Sequence, residues 1–168
     1  MTAHIDIHPW AEGDLWLLRR LNAPEVTTHL GGPESDERVA DRHRRYLVLG
    51  DGRMFRVEVD GVPAGSIGYW TKPWRGEAVW EVGWSVLPEF QGRGVASAAA
   101  RATVVAARAD GRHRWAHAFP SVDHPASNAV CRKAGFTLLG EADVEYPPGR
   151  WMRCHDWALD LRPDLDPG

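Results

Sequence analysis

A turn at residues 91–96, Q-G-R-G-V-A, is the stretch of this 168-residue sequence that first suggests chemistry. It follows an apolar run typical of a strand and precedes an alanine-rich run typical of a helix. The first turn of a helix carries N–H groups without partners inside the helix, and glycine lets a ligand approach the backbone closely. The helix dipole adds positive potential at the same place. The turn therefore predicts a site for phosphate or pyrophosphate.

Three interpretations of this turn compete. A P-loop requires G-x-x-x-x-G-K-[ST], which the sequence lacks. A dinucleotide fingerprint requires a third glycine, where Ser97 stands, and an acid further on, where Arg112 and Arg114 stand. A glycine-containing turn that binds no ligand stays open when the turn is considered alone.

Composition excludes several classes of function. With 43% hydrophobic residues, 26% charged residues and a formal net charge of −3, the chain is typical of soluble globular proteins. Binding of nucleic acid or of an anionic membrane requires a surplus of basic charge, so we expect neither partner. Cys131 and Cys154 have no metal-type spacing, so we expect no metal. No export signal or membrane span is recognisable, which predicts a cytoplasmic protein with reduced thiols.

The elements that must position the turn are helices interrupting a mostly antiparallel sheet. Periodicity predicts the order β-α-α-β-β-β-α-β-α-β-β. Asp14 is the candidate N-cap of the first helix, and the second helix runs from Ser35 to about Leu49. We expect one α/β domain over residues 1–168 with a mixed sheet. The predicted strands cover residues 3–10, 54–59, 64–70, 77–87, 113–119, 136–146 and 151–161, with tight turns at Asp60-Gly61 and at residues 72–76.

Two blocks of the sequence resemble the two motifs of the GCN5-related N-acetyltransferases, the GNAT family. The first, VGWSVLPEFQGRGVASAAA, has a strand, a V-x-P turn and Q-x-x-G-x-A at Gln91, Gly94 and Ala96. The second, HPASNAVCRKAGFTLLGE, has the end of N-x-x-S, a short helix, K-x-G-F and a strand. One helix and one strand separate the blocks, as in the family. The resemblance covers nearly the whole chain and implies the GNAT fold.

Within this family, the sequence is most similar to enzymes resembling the ribosomal-protein alanine N-acetyltransferases. The features that carry this likeness are PEVTTHLGGP early in the chain, EVGW in the long strand and EYPPG beyond the second block. One position departs from the pattern. His124 stands where the family usually has an asparagine that touches the pantetheine arm, and Asn128 is the candidate to supply that contact instead.

The resemblance implies acetyl-CoA as the acetyl donor. The strand that holds Val86 should splay away from residues 113–119, which leaves a slot for the thioester. A main-chain N–H near Ser85 or Val86 would polarise the thioester carbonyl. Main-chain groups of Trp84, Ser85 and Val86 should pair with pantetheine like an added strand. The backbone N–H groups expected to hold the pyrophosphate are those of Gln91, Gly92, Arg93, Gly94, Val95 and Ala96.

Acetyl transfer to an amine requires a base for the ammonium and a donor to the departing thiolate. Ser127 is the donor that the resemblance implies, although it could instead only cap the short helix. Glu145, before YPPG, and Glu81, on the central strand, are the two candidate bases. Each could equally be a solvated or salt-bridged acid. The tryptophans that could form apolar walls and raise the pKa of such a base are Trp80, Trp84 and Trp151.

Other side chains fit an acceptor pocket less specifically. His117 and His124 could bind substrate or relay protons, or could be only hydrogen-bonded. Cys131 is expected in the core. Nine tryptophans suggest an aromatic-lined acceptor pocket, with Trp70, Trp74, Trp80 and Trp84 as its candidates, although some of the four could instead pack in the core. The acids that would suit a cationic acceptor are Glu77, Glu81, Asp123, Asp143 and Glu145.

We therefore expect an N-acetyltransferase that moves acetyl from acetyl-CoA to a primary amine by direct attack in a ternary complex. The acceptor would be a protein N-terminus or a small-molecule amine. The alternative is a non-catalytic acyl-CoA-binding regulatory module, which would need neither a base nor a sulfur-side donor. The sequence leaves open the acceptor, the acyl length and whether the chain forms a homodimer.

Overall fold

Seven strands form one mixed sheet in the computed structural model, which describes residues 2–165. Their spatial order is β1-β2-β3-β4-β5-β7-β6, and every neighbouring pair is antiparallel except β4 and β5. The predicted α/β fold class is confirmed. The strands are β1 (Ile5–Pro9), β2 (Gly52–Val59), β3 (Val62–Trp74), β4 (Glu77–Val86), β5 (Trp115–Ala118), β6 (Thr137–Glu145) and β7 (Trp151–Asp160).

Helices cover both faces of this sheet, and each face has its own apolar core. The helices are α1 (Leu15–Leu21), α2 (Pro24–Thr27), α3 (Asp36–Leu47), α4 (Val95–Asp110) and α5 (Pro125–Lys133). The core beneath α1 and α3 consists of Trp10, Leu17, Leu18, Leu21, Val39, Met54 and Leu87. The larger core beneath α4 and α5 includes Trp80, Val82, Val95, Ala99 and Cys131. No helix among residues 2–165 is long and apolar enough to cross a membrane.

The predicted order of elements holds, with one additional short helix and different capping at α1. Helix α2 spans only four residues, too few to show a helical period. Helix α3 begins at the predicted place, where Ser35 is its N-cap and accepts a hydrogen bond from Arg38 N, but it ends at Leu47, two residues before the predicted end. Asp14 lies at the N-cap position of α1 but makes no capping bond to that helix. Its carboxylate pairs with Arg56 at 3.0 Å instead.

Strand β3 is longer than the sequence predicts. It continues to Trp74, and the turn that follows consists of Arg75 and Gly76, which both have positive φ. Pro73 does not break the strand, because β2 pairs with β3 only as far as Trp70. Thr71 N still donates to Asp51 O on this side, and beyond Thr71 the β2 side of β3 is an edge, where a proline leaves no ladder bond unmade.

Strands β4 and β5 separate after two paired positions. Trp80 pairs with Ala116 and Glu81 with His117, and no pairing follows. Residues 82–86 of β4 therefore pair only with β3. The predicted slot beside Val86 is present in the fold.

Candidate active site

A cavity of about 700 Å³ occupies the opening between β4 and β5. The turn before α4, the end of β4, the start of α5 and the β6–β7 loop all contribute to its lining. A second cavity, of about 430 Å³, adjoins it on the side of α1 and α3. The side chains that line both cavities are Leu30, Arg42, Ser66, Ser85 and Tyr146.

The turn before α4 presents a row of free backbone donors. Gly92 and Gly94 have φ of 72° and 75°, a conformation that favours glycine. No residue within 2–165 accepts a hydrogen bond from the N–H groups of residues 92 to 97. Such a row at the N-terminus of a 16-residue helix fits an anion.

The predicted row of donors is shifted by one residue. The Gln91 N–H already bonds to Pro88 O at 3.2 Å, so it is not free for a ligand. The Gln91 side chain instead donates to Val86 O at 2.9 Å and ties the turn to β4. Ser97 joins the row at its other end. The Arg93 guanidinium lies over the Phe90 ring, and Arg93 is absent from the cavity lining.

The main chain of β4 offers donors to the slot at alternate positions. Leu87 N bonds to Ala64 O, on the β3 side. Because backbone groups alternate between the two edges of a strand, Ser85 also directs its N–H to β3, whereas Trp84 and Val86 direct theirs to the slot. Of the two N–H groups predicted to face a thioester, only that of Val86 has the required direction.

Glu81 is a partly buried carboxylate of the larger cavity, with 21% of its side chain exposed. Trp70 Nε1 donates to its Oε1 at 3.1 Å, and Lys72 Nζ lies 3.8 Å from the same oxygen. Gly83 makes this arrangement possible, since a Cβ there would lie 2.6 Å from the Trp70 ring. Burial raises the pKa of Glu81, and Lys72 and the Trp70 hydrogen bond only partly oppose this. A raised pKa makes a carboxylate a more effective base near neutral pH.

Glu145 lines the same cavity from its rim. Its side chain is exposed, and its Oε1 accepts a hydrogen bond from Gly149 N at 2.7 Å within the β6–β7 loop. The structure thus brings both candidate bases to one cavity but in different environments. Glu81 is largely shielded from solvent, whereas Glu145 is exposed and its carboxylate accepts a hydrogen bond that stabilises the β6–β7 loop.

Ser127 lines the cavity with an unengaged hydroxyl. The N-cap of α5 is His124, whose Nδ1 accepts from Ser127 N at 3.4 Å. The interpretation that Ser127 caps this helix is therefore wrong. Its hydroxyl bonds to none of the residues in the described part of the chain. The His124 ring stacks on His29 with centroids 4.1 Å apart, and burial, together with the nearby His29, lowers the pKa of His124.

Asn128 does not face the cavity, which conflicts with the prediction that it contacts the cofactor. Its Nδ2 donates to Ser121 O and His124 O, and its Oδ1 accepts from Trp157 Nε1 and lies 2.7 Å from His155 Nδ1. All four bonding positions of the amide are used inside the protein. Asn128 therefore joins the start of α5 to β7.

The tryptophans divide between core and cavity. Trp70 and Trp84 line the larger cavity, as predicted. Trp80 was also predicted there, but it is fully buried, with its ring against Tyr69. Trp151 is 67% exposed and lies outside the lining. Trp74 also lies outside the lining, and its Nε1 donates to the Asp156 carboxylate.

Two other candidates lie inside the protein. His117 Nδ1 is 2.6 Å from Asp156 Oδ1, and the residue is buried outside the lining, which favours a structural hydrogen bond over substrate binding. Cys131 is in the core as expected, and burial raises the pKa of its thiol to about 12. Within the described residues, no cluster of His, Cys, Asp or Glu is arranged to hold a metal ion.

The acids predicted to attract a cationic acceptor are mostly elsewhere. Of the five acids predicted for this role, Glu81 and Glu145 line the larger cavity, whereas Glu77, Asp123 and Asp143 line neither cavity. Of the five residues that line both cavities, sequence reasoning named only Ser85, for its main chain, and missed Leu30, Arg42, Ser66 and Tyr146. Arg42, for example, lies on a helix with three other arginines, and no local pattern distinguishes it from them.

Comparisons with known proteins agree on one family. The acetyltransferase (GNAT) domain model matches residues 4–137. No curated protein matches the sequence. The Salmonella typhimurium acetyl transferase that modifies the N-terminal serine of ribosomal protein L7/L12 has a TM-score of 0.76 and 21% identity, covering 93% of this chain and 94% of that one.

Two further solved structures are similar in fold. Salmonella typhimurium yncA, with its cofactor acetyl-CoA, has a TM-score of 0.74 and 22% identity, covering 98% of both chains. The aminoglycoside acetyltransferase AAC(6')-Ib, in complex with coenzyme A, has a TM-score of 0.76 and 18% identity, covering 96% of this chain and 99% of that one. At these identities the likeness shows the fold alone.

Proposed function

The chain belongs to the GNAT acetyltransferase family, and from this premise we propose that it transfers acetyl from acetyl-CoA to a primary amine by direct attack in a ternary complex. The whole chain acts as one N-acetyltransferase domain. The observation that carries the proposal is a single cavity lined both by the turn with free N–H groups and by a partly buried carboxylate, Glu81.

The residues present fit the chemistry of acetyl-CoA. The N–H groups of residues 92 to 97 hold the pyrophosphate, and the slot-facing main chain of Trp84 and Val86 pairs with the pantetheine arm. Bound acetyl-CoA supplies an activated acetyl thioester. Two acetyltransferases of similar fold were solved with acetyl-CoA or coenzyme A bound, which supports acetyl-CoA as the donor.

Glu81 is the base. An amine arrives as its ammonium form, which has no lone pair, and Glu81 takes the proton because burial raises its pKa. The amine nitrogen then bonds to the acetyl carbon while the carbon–sulfur bond breaks. Val86 N–H stabilises the negative charge that develops on the carbonyl oxygen. Ser127 hydrogen-bonds to the departing sulfur. As the tetrahedral intermediate collapses, the nitrogen loses its second proton to the thiolate, which gives coenzyme A as the thiol, and Glu81 releases the first proton to solvent.

Direct transfer agrees with the state of the cysteines. Both thiols are buried, and burial raises the pKa of Cys131 to about 12 and that of Cys154 to about 11. The thiolate is the nucleophilic form, so neither side chain is suited to carry an acetyl group.

The test is amine-dependent release of coenzyme A. The protein is mixed with acetyl-CoA and a panel of primary amines, free thiol is measured, and acetylated products are identified by mass. Release that requires an amine supports the proposal. Tight acetyl-CoA binding by calorimetry without release from any amine contradicts it and favours the non-catalytic acyl-CoA-binding module.

A further inference from the structure

Arg42 lies at the junction of the two cavities with part of its guanidinium unengaged. Its Nη2 is 2.8 Å from Glu34 Oε1, but its buried Nε has no hydrogen-bond partner within residues 2–165. The guanidinium is always charged and has five N–H donors in a planar fork. A buried donor of this kind without a partner costs stability unless a ligand uses it.

The smaller cavity contains more donors than acceptors. Arg38 and Arg42 lie one turn apart on α3 and both line it, whereas its one acid, Glu34, is already paired with Arg42. The hydroxyls of Ser66 and Ser85 also line it and have no partner among the described residues. Two cations, one paired acid and free hydroxyls suit an anionic oxygen group rather than a second amine.

The remainder of the smaller cavity is apolar. Leu18, Leu21 and Leu30 contribute to its walls. Its volume of about 430 Å³ lies within the range of roughly 300–1,000 Å³ that is usual for small-molecule sites. A cationic, many-amine acceptor would need free acids in this cavity, but the one acid in its lining, Glu34, is paired with Arg42, and the other acids line only the larger cavity.

We propose that the acceptor is a free amino acid with an apolar side chain, whose carboxylate binds Arg42 and Arg38 while its amine faces Glu81. This inference rests on the proposed acetyl transfer. Arg42 lines both cavities, so one small molecule can contact it and still reach the cavity of Glu81. The reaction converts an amino acid and acetyl-CoA into the N-acetyl amino acid, coenzyme A and one proton.

Three matched amines separate the carboxylate from the rest of the acceptor. They are L-leucine, L-leucinamide and 3-methylbutylamine, which share the apolar group and differ only beside the amine. We expect kcat/KM for leucine to exceed that of the other two by at least about tenfold, because a site built to bind a polar group rejects an analogue that lacks it. Equal values for the three amines would overturn the inference and leave the proposed acetyl transfer standing.

Arginine variants test which residues bind the carboxylate of the amino acid. Arg42→Gln should raise KM for leucine at least about tenfold while KM for acetyl-CoA is unchanged, and Arg42→Lys should recover part of the loss. Arg38→Gln, at an exposed position, provides a second variant if Arg42→Gln does not fold. Arg45→Gln, on the same helix but outside both linings, is the control. An equal effect of Arg42→Gln on leucine and leucinamide would contradict the assignment.

Failure of the proposed function is distinguishable from failure of this inference. If no amine releases coenzyme A, the acetyl transfer is wrong, and calorimetry on the protein saturated with coenzyme A then compares leucine with leucinamide. Preferential binding of leucine that Arg42→Gln abolishes supports the carboxylate site. Absence of such a preference overturns it.

Discussion

Trp70 Nε1 donates a hydrogen bond of 3.1 Å to Glu81 Oε1 across the β3–β4 pair. The indole covers the position of Gly83, where any side chain would collide with it. Lys72 lies two residues after Trp70 on β3, and its Nζ approaches the same carboxylate oxygen. Glu81 is therefore enclosed yet still accompanied by two groups that favour its ionised form. This balance is suited to a carboxylate that must both accept and release a proton.

Removal of the Glu81 carboxylate should abolish most of the activity. We expect Glu81→Gln to lower kcat by about 10²-fold or more, the usual contribution of general base catalysis, with the acetyl-CoA dissociation constant unchanged. Steady-state kinetics and calorimetry measure the two quantities. Glu145→Gln is the matched variant and should have the smaller effect. A larger loss in Glu145→Gln than in Glu81→Gln would assign the base to Glu145.

The charge of Lys72 should set the pH at which activity appears. Lys72 lowers the pKa of Glu81 against the effect of burial, so Lys72→Gln should raise that pKa further. Because the base must be ionised, the acidic limb of kcat/KM should move to higher pH. Arg75→Gln is the control, since Arg75 lies near Asp156 rather than Glu81. An unmoved limb in Lys72→Gln would mean that the limb does not report Glu81.

Gly94 should be intolerant of a side chain for reasons of backbone conformation alone. Its φ is 75°, and a Cβ there would meet nothing within 4 Å. Gly94→Ala should lower the free energy of unfolding by roughly 1 kcal/mol, the cost of a left-handed alanine, and should weaken acetyl-CoA binding. Urea unfolding and calorimetry provide the readouts. Gly50→Ala, also in open space but without positive φ, should not be destabilised.

Variants of Ser127 and His124 should distinguish an effect on catalysis from an effect on helix capping. The Ser127 hydroxyl has no partner in the described chain, so Ser127→Ala should reduce kcat without changing the free energy of unfolding. His124→Ala removes the N-cap of α5 and should cost about 0.5–1 kcal/mol of stability. Chemical denaturation and kinetics on both variants decide. Full activity in Ser127→Ala would remove Ser127 from the mechanism.

Asn128 should matter for stability rather than for cofactor binding. Asn128→Ala leaves the Trp157 indole N–H and His155 Nδ1 without their amide partner, whereas the carbonyls of Ser121 and His124 keep their backbone hydrogen bonds. We expect a loss of about 2 kcal/mol or more in the free energy of unfolding, the cost of unsatisfied buried groups. Binding of acetyl-CoA by the folded variant should be unchanged. Normal stability combined with weak acetyl-CoA binding would instead favour a direct contact to the cofactor.

Features with a long local signal were predictable from the sequence. The period of α4, the alternation of β2 and the Q-G-R-G-V-A turn each extend over enough residues to indicate the element and its chemistry. Ser35 follows the same logic, because a capping side chain acts on a residue three positions away. Helix α2 was missed because four residues carry no period.

The side-chain environments were not predictable, because distant parts of the chain create them. The bonds of Asn128 to His155 and Trp157 come from a strand about thirty positions later, which is why its amide turns away from the cavity. Trp80 and Trp84 are both on one face of β4, but helix α4 buries the first and the slot exposes the second. Arg42 becomes distinctive only when α3 packs against α1 and β2, which brings this side chain to the cavity that Ser66 and Ser85 also line.

Glu81 is the last residue of β4 that β5 holds. It therefore lies at the point where β4 and β5 diverge, and there the main chain of β4 still has a neighbouring strand on each side. Farther along, β4 has only β3 as a neighbour, so its outer edge is open to another extended chain. A change in the angle between the diverging strands would therefore alter the space along the open edge of β4, while the carboxylate of Glu81, at the point of divergence, would keep its position.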